Sequence, residues 1–210
     1  MVRPQELNPR ARAKLEQIRE GAQRIFLERG FAGASTDAIA SEAGVSKQTL
    51  YAYYASKETL LADVLRHLIH ENPQNPLSEV EEMPLDTSEE LRGALDSLAQ
   101  RAITSLMQPD YLALIRVVIA ETPRLPQVGA LFRSAVPEQL LGGVVRILEG
   151  ARAKGVVGEV NADAAASRMF MGALLTYAIL DGLLVGEGPP RPPAPEQIAA
   201  VVDLFMKTIS

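Results

Sequence analysis

The stretch Thr36-Asp-Ala-Ile-Ala-Ser-Glu-Ala-Gly-Val-Ser-Lys-Gln-Thr-Leu-Tyr51 constrains this chain more than any other, because its spacing fits two short helices joined by a sharp turn. Ala40 is small enough for a second helix to cross closely over it. Gly44, four residues later, supplies the positive φ that turns the chain without a Cβ clash. Ile39, Val45 and Leu50 form an apolar wedge between the two helices, and Ser46 is placed to cap the second one. Ser35 and Thr36 compete for the same role at the start of the first. A plain helical hairpin uses the same glycine, but it has no need of the polar face that follows.

That face carries Lys47, Gln48, Thr49, Tyr51 and Tyr53, whose side chains can meet base edges or phosphates of duplex DNA. Ser56 is the expected cap of the next helix and places Lys57 beside the nucleic-acid backbone. Tyr54 falls where the pattern wants an apolar anchor and is assigned to the core.

Elsewhere no β-branched alternation persists, and apolar residues recur three and four apart, so the chain is expected to be all-α. Helices are predicted over 10–29, 36–43, 47–53 and 57–71, then over 88–107, 110–121, 127–134, 137–154, 162–185 and 195–209. Gly30 is expected to stop the first, with Phe31 beneath the next. Residues 72–87, rich in Pro, Asn and Glu, read as a loop. The expected organisation is a three-helix helix-turn-helix domain over 1–57, a connecting helix over 58–75, and a larger helical domain for ligand binding and dimerisation over 76–210.

The net charge of −5 is unevenly spread. Residues 1–66 hold 10 Lys/Arg and 8 Asp/Glu, so the acidic excess lies in the remainder. Charge alone is a weak argument for DNA binding, and the motif geometry has to carry it. With no Cys among the 210 residues, disulfides, thiolate catalysis and Cys-based zinc sites are excluded. Residues 1–8 lack the apolar core of a secretory signal, so a cytoplasmic protein is expected.

The combination Gly30-Phe31, Ile39-Ala40, Ala43-Gly44-Val45-Ser46, Thr49-Leu50-Tyr51, Tyr53-Tyr54 and Ser56-Lys57-Glu58 resembles the N-terminal pattern of the TetR family of transcriptional regulators, over residues 10–66. The resemblance implies base contacts from Lys47, Gln48 and Thr49, phosphate contacts from Thr49, Tyr51, Tyr53 and Lys57, and Ser35 near the backbone; Thr36 and Ser46, at the helix starts, are expected at the DNA from their own placement. Ala34 and Thr36 depart from the pattern, where Thr and an apolar residue are usual.

In the C-terminal part, the stretch from Tyr111 to Pro126 and the segment Asp181-Gly-Leu-Leu184 resemble the sensor domains of repressors of efflux or detoxification genes. Residues 169–186 are almost wholly apolar, but Thr176, Tyr177 and Asp181 interrupt the run and it barely reaches the ~20 residues that a membrane span requires. A core helix that also meets a partner is expected, with Gly172, Ala173, Ala178 and Gly182 permitting close approach. Paired with the helix of Leu140, Leu141, Val144, Val145 and Leu148, it would form a four-helix bundle across a two-fold axis.

Partners are therefore expected to be double-stranded operator DNA, a second copy of the chain, and a small apolar or amphipathic effector, with no membrane and no cofactor. Candidate effector-lining residues are Leu98, Met107, Tyr111, Arg116, Phe132, Met169, Phe170 and Tyr177, each of which has an ordinary core role as its alternative. Arg116, inside the otherwise apolar run 112–120, either pairs with an acid such as Glu121 or meets an anionic ligand. Asp63, His67 and Glu71 share a helical stripe at a spacing that suits metal, though a solvated polar edge is favoured and no metal is assigned. The rival, a helical enzyme, lacks a nucleophile–base pair, a phosphate loop or a carboxylate dyad.

Overall fold

A computed structural model describes residues 9–70, 83–158 and 164–209 of the chain. Among them there is no strand, and the helices are α1 (Pro9–Gly33), α2 (Thr36–Glu42), α3 (Lys47–Tyr53), α4 (Lys57–His70), α5 (Ser88–Leu106), α6 (Pro109–Glu121), α7 (Pro126–Ala135), α8 (Pro137–Ala153), α9 (Ala164–Tyr177) and α10 (Pro195–Ile209), with a π-helical segment at Ala178–Leu183. The fold is all-α, as the apolar periodicity requires.

The described residues fall into two compact units, one within 1–66 and 113–135, the other within 67–112 and 136–209. The division lies inside α4 and α6, each of which lends one end to each unit.

In the first unit α1 buries Leu15, Ile18, Ala22, Ile25 and Phe26 against α2, the stripe that its spacing prescribes. Gly30 breaks the helical geometry at φ 66°, ψ 177°, but one further turn runs on to Gly33. That break carries Phe31 back under the helix to stack on Phe26, with ring centroids 5.8 Å apart. Leu60, Leu61, Val64 and Leu65 of α4 complete the core.

In the second unit α5 opens with a reciprocal cap, in which the Glu90 amide donates to Thr87 Oγ1 at 3.2 Å and the Thr87 amide to Glu90 Oε2 at 2.9 Å. Its buried face, including Leu91, Leu95 and Leu98, packs on α8, α9 and α10. Phe170 of α9 meets Phe205 of α10 at 4.9 Å between centroids.

The expected helix over 162–185 changes character on the way. After Tyr177 the α-helical hydrogen-bond pattern widens into the π segment, and residues 159–163 lie outside the described ones. Gly182, at the end of that wide turn, explains why a small residue is needed there: an added Cβ would sit 3.0 Å from both Leu112 Cδ1 and Met107 Sδ. Gly172 has no such neighbour within 4 Å.

The face left open to solvent is the expected one in part, since it includes α9 but not the most buried side of α8. Leu140, Val144 and Leu148 of α8 are buried in their own unit. In the second unit the exposed large apolar residues lie on α9 and the π segment (Met169, Leu175, Ile179, Leu180), on Leu184 just beyond it, and on Leu204 of α10. A shallow groove of about 160 Å³ runs between α9 and α10, lined by Met169, Ala173, Val201 and Leu204 among others.

Candidate nucleic-acid interface

The turn between α2 and α3 is closed by backbone alone. Gly44 adopts φ 62°, its amide donates to Ser41 O at 3.1 Å, and the Val45 amide donates to Ala40 O at 2.9 Å. This is the Schellman arrangement, in which a left-handed glycine lets two orphan carbonyls find donors. Gly21 of α1 lies directly against Ala43, so close that a Cβ on it would be 2.8 Å from the Ala43 nitrogen. Ile39, Ala40 and Leu50 are buried at the crossing.

Side-chain caps then fix where each helix starts. Ser35, not Thr36, caps α2, accepting from the Ala38 amide at 3.1 Å. Ser46 caps α3 through the Thr49 amide at 3.1 Å and also meets the Thr49 hydroxyl at 2.8 Å. Thr36 is thereby free to face Tyr51, whose hydroxyl lies 3.4 Å from its own. Ser56 caps α4 through the Thr59 amide at 3.2 Å, and the Ser56 amide donates in return to Thr59 Oγ1 at 3.1 Å.

On the outer side of α3, Lys47, Gln48 and Tyr51 are exposed, while Thr49 and Tyr53 are half-buried. The Lys47 ammonium grips the Asp37 carboxylate of α2, and this pairing raises its pKa above the ordinary lysine value. Lys57 is differently held. Its ammonium donates to Phe31 O at 2.6 Å and lies 4.3 Å from the centroid of the Phe31 ring, and burial lowers its pKa. The Gly30 break is what brings that carbonyl and ring to the start of α4.

Beneath this surface is a buried ionic cluster that the sequence reading missed. Asp63 of α4 accepts from Arg19 Nε of α1 at 2.8 Å, from the Tyr54 hydroxyl at 2.6 Å and from Arg66 at 2.8 Å. Arg19, Tyr54 and Asp63 are all buried. Burial, with the neighbouring Asp63 charge, pushes the Tyr54 phenol well above its ordinary pKa. The polar edge expected for Asp63 and His67 is thus corrected, since Asp63 belongs to the core of its unit. Glu71, the third member of that stripe, lies outside the described residues, and no group among the described residues has the makings of a metal site. One signal was available: Arg19 interrupts the Leu15, Ile18, Ala22 stripe, and a charge in an apolar stripe asks for a partner.

The expected effector residues fall in both units. Leu98, Met107, Tyr111 and Phe170 are buried in the second unit, where Tyr177 is half-buried and Met169 is exposed. Burial raises the Tyr111 phenol pKa. Met169 and Phe170 meet in the groove between α9 and α10. Arg116 and Phe132 belong to the first unit, and Arg116 is exposed beside Ile119 and Ala120, with Leu112, Leu114, Ile115 and Val118 turned inward. The apolar run around Arg116 therefore does not bury it.

Residues 18–64, which contain α2, α3 and the cluster beneath them, match the family described as bacterial regulatory proteins, tetR family. Residues 93–208 match the C-terminal domain of AefR-like transcriptional repressors. The chain belongs to the TetR family. Its relatives include the transcriptional regulator UidR of Escherichia coli K12, 27% identical over 164 residues that make up 78% of each chain. The repressor SCO4008 of Streptomyces coelicolor is 49% identical over 49 residues, 23% of this chain and 26% of that one. The chain spans about a third or less of the length of the first curated relatives it matches, SCO4008 among them. Among solved structures, the flavonoid-responsive regulator FrrA is 28% identical with a TM-score of 0.66, over 93% of this chain and 94% of that one. Both matching families are described by regulation, the first as bacterial regulatory proteins and the second as transcriptional repressors. No single helix among its described residues is long and apolar enough to cross a membrane.

Proposed function

We propose that this TetR-family regulator is a homodimeric repressor that holds a palindromic operator with two copies of α3 and leaves it when a small apolar or amphipathic molecule binds the C-terminal domain. The observation that carries the reading is the outer face of α3, where Lys47, Gln48 and Tyr51 are exposed on a helix whose start and turn are fixed by Ser46 and Gly44. Side chains on such a helix reach base edges in a major groove, while Ser35, Thr36, Thr49, Tyr53 and Lys57 flank it toward the phosphates. One helix reads too few bases for useful specificity, so two must act together, about 34–36 Å apart or at a multiple of that.

The second copy is supplied by the apolar face of α9, the π segment and α10, where Leu184 and Leu204 are 66% and 65% exposed. A monomer gains nothing from leaving such a face wet. The repressor reading is supported by the family to which residues 93–208 belong, and the effector class by FrrA, whose name marks it as responsive to flavonoids, small amphipathic molecules. Leu98, Met107, Tyr111, Phe170 and Tyr177, all of the second unit, are the residues proposed to meet the effector, with Met169 at its margin. Release requires that the effector favour the non-binding state, by a coupling of about 1–3 kcal/mol. α4, continuous from one unit into the other, is the proposed lever. The protein would work in the cytoplasm, where its operator lies.

The test is selection of duplexes from a random pool by the purified chain, followed by footprinting and sedimentation with and without a flavonoid panel. Two symmetric footprint halves on a dimer, lost on adding a bound flavonoid, support the proposal. An asymmetric footprint from a monomer overturns it.

A further inference from the structure

The proposed DNA-facing surface is short of positive charge. Between residues 30 and 56 Lys47 is the one cation in the sequence, and the acids are Asp37 and Glu42. Glu42 is engaged with Arg24 of α1 at 2.6 Å. Asp37 is engaged with Lys47 through both carboxylate oxygens, at 2.9 and 3.0 Å. The pair bridges α2 and α3, and its side chains are 69% and 49% exposed. Ion pairs this open contribute little to folding, and the two helices are already joined by buried Ile39, Ala40 and Leu50. The pair therefore matters less for holding the fold than for what the surface presents to a polyanion.

We propose that Asp37 is a specificity-determining residue, whose carboxylate withholds the Lys47 ammonium from phosphates of arbitrary sequence and yields it only where the operator's base edges complete the contacts of Gln48 and Tyr51. On random DNA, moving Lys47 from the carboxylate to a phosphate exchanges one ion pair for another and leaves Asp37 facing the duplex, so no net charge is neutralised. On the operator, base-edge hydrogen bonds offset that cost. Replacing Asp37 by Asn keeps the shape and frees the ammonium. One additional phosphate is then neutralised on any sequence, which steepens the dependence of log K on log salt by about 0.9. Across a fourfold salt range that slope corresponds to about a three- to fourfold change in affinity.

The inference rests on the reading that α3 lies against DNA, and the test separates the two. Fluorescence anisotropy would compare the full-length wild type, Asp37→Asn, Lys47→Ala and the double variant. The probes are a duplex that the wild type recovers from a random pool, and poly(dI-dC), between about 50 and 200 mM salt. The expected result is that Asp37→Asn steepens the salt slope on poly(dI-dC) by about one, gains less on the selected duplex, and has no such effect in the Lys47→Ala background. An unchanged slope overturns the inference alone. So does a gain that persists without Lys47, which would be simple removal of a negative charge, or an equal gain on both probes, which would be affinity without specificity. A wild type that recovers no duplex overturns the DNA reading and the inference with it.

Discussion

Replacing Gly21 by Ala should destabilise the protein, although Gly to Ala in the middle of a helix ordinarily stabilises. The ordinary effect is about 0.5–1 kcal/mol, from the backbone entropy that glycine loses on folding. At Gly21 the added Cβ would stand 2.8 Å from the nitrogen, 2.9 Å from the Cα and 2.9 Å from the Cβ of Ala43. Two of these three atoms are backbone of the α2–α3 turn, which Gly44 and Val45 hold by hydrogen bonds, so no side chain can rotate away. Such overpacking costs about 1–3 kcal/mol and more when backbone must move. Set against the helix gain, a net loss of about 1–2 kcal/mol remains, or roughly 2–8 °C in melting temperature for a chain of this size. Gly93, inside α5 with nothing within 4 Å of its would-be Cβ, provides the matched control and should gain about 0.5–1 kcal/mol as Ala. Thermal and urea melts of both variants decide the matter. The reasoning fails if Gly21→Ala melts at or above the wild type, or if both variants shift in the same direction.

Three further outcomes follow from the same geometry. Asp63→Ala takes from buried Arg19 the carboxylate that holds it at 2.8 Å and should cost about 3–5 kcal/mol in a urea melt, whereas Tyr54→Phe should cost about 1–2 kcal/mol. Stability should fall as pH rises through the ordinary tyrosine value of 10.0, because Tyr54 and Tyr111 keep their protons in the folded chain and release them when it unfolds, and Tyr54→Phe should blunt that fall. Glu at both Leu180 and Leu204 should give a helical monomer by sedimentation and circular dichroism, with operator binding weakened about tenfold or more.

The helix-turn-helix was legible in the sequence because local rules write it: Gly44 for the positive φ, Ser46 for the cap, Ile39 and Leu50 for the wedge. The choice of Ser35 over Thr36 as cap was not, since both can accept from an amide and the difference lies in which backbone is extended at that point. The Asp63 cluster was hidden for another reason. Its partner Arg19 is 44 residues away, and helical spacing shows only that Asp63 shares a stripe with His67. Lys47 and Asp37 belong to different helices, so their pairing too depends on the angle of the turn rather than on any spacing within one. In the C-terminal unit, periodicity finds that the segment from Met169 onward is helical and apolar. It does not register the hydrogen-bond shift after Tyr177, nor which apolar face α5 and α10 cover. On α8, Leu140, Val144 and Leu148 serve the unit's own core, while Leu141 and Val145 of the same helix are half-buried, and spacing alone does not separate the two sets.

Whether the exposed edge of α3 reads bases is best asked of Gln48, which is exposed and is neither a cap nor a core residue. Affinities of wild type and Gln48→Ala would be measured on the selected operator, on its single-base variants and on random duplex at one salt concentration. The expected result is a loss of about 1–3 kcal/mol on the operator, relaxed preference at one base position, and little change on random duplex. Equal losses on operator and random DNA, or an unchanged base preference, would contradict it.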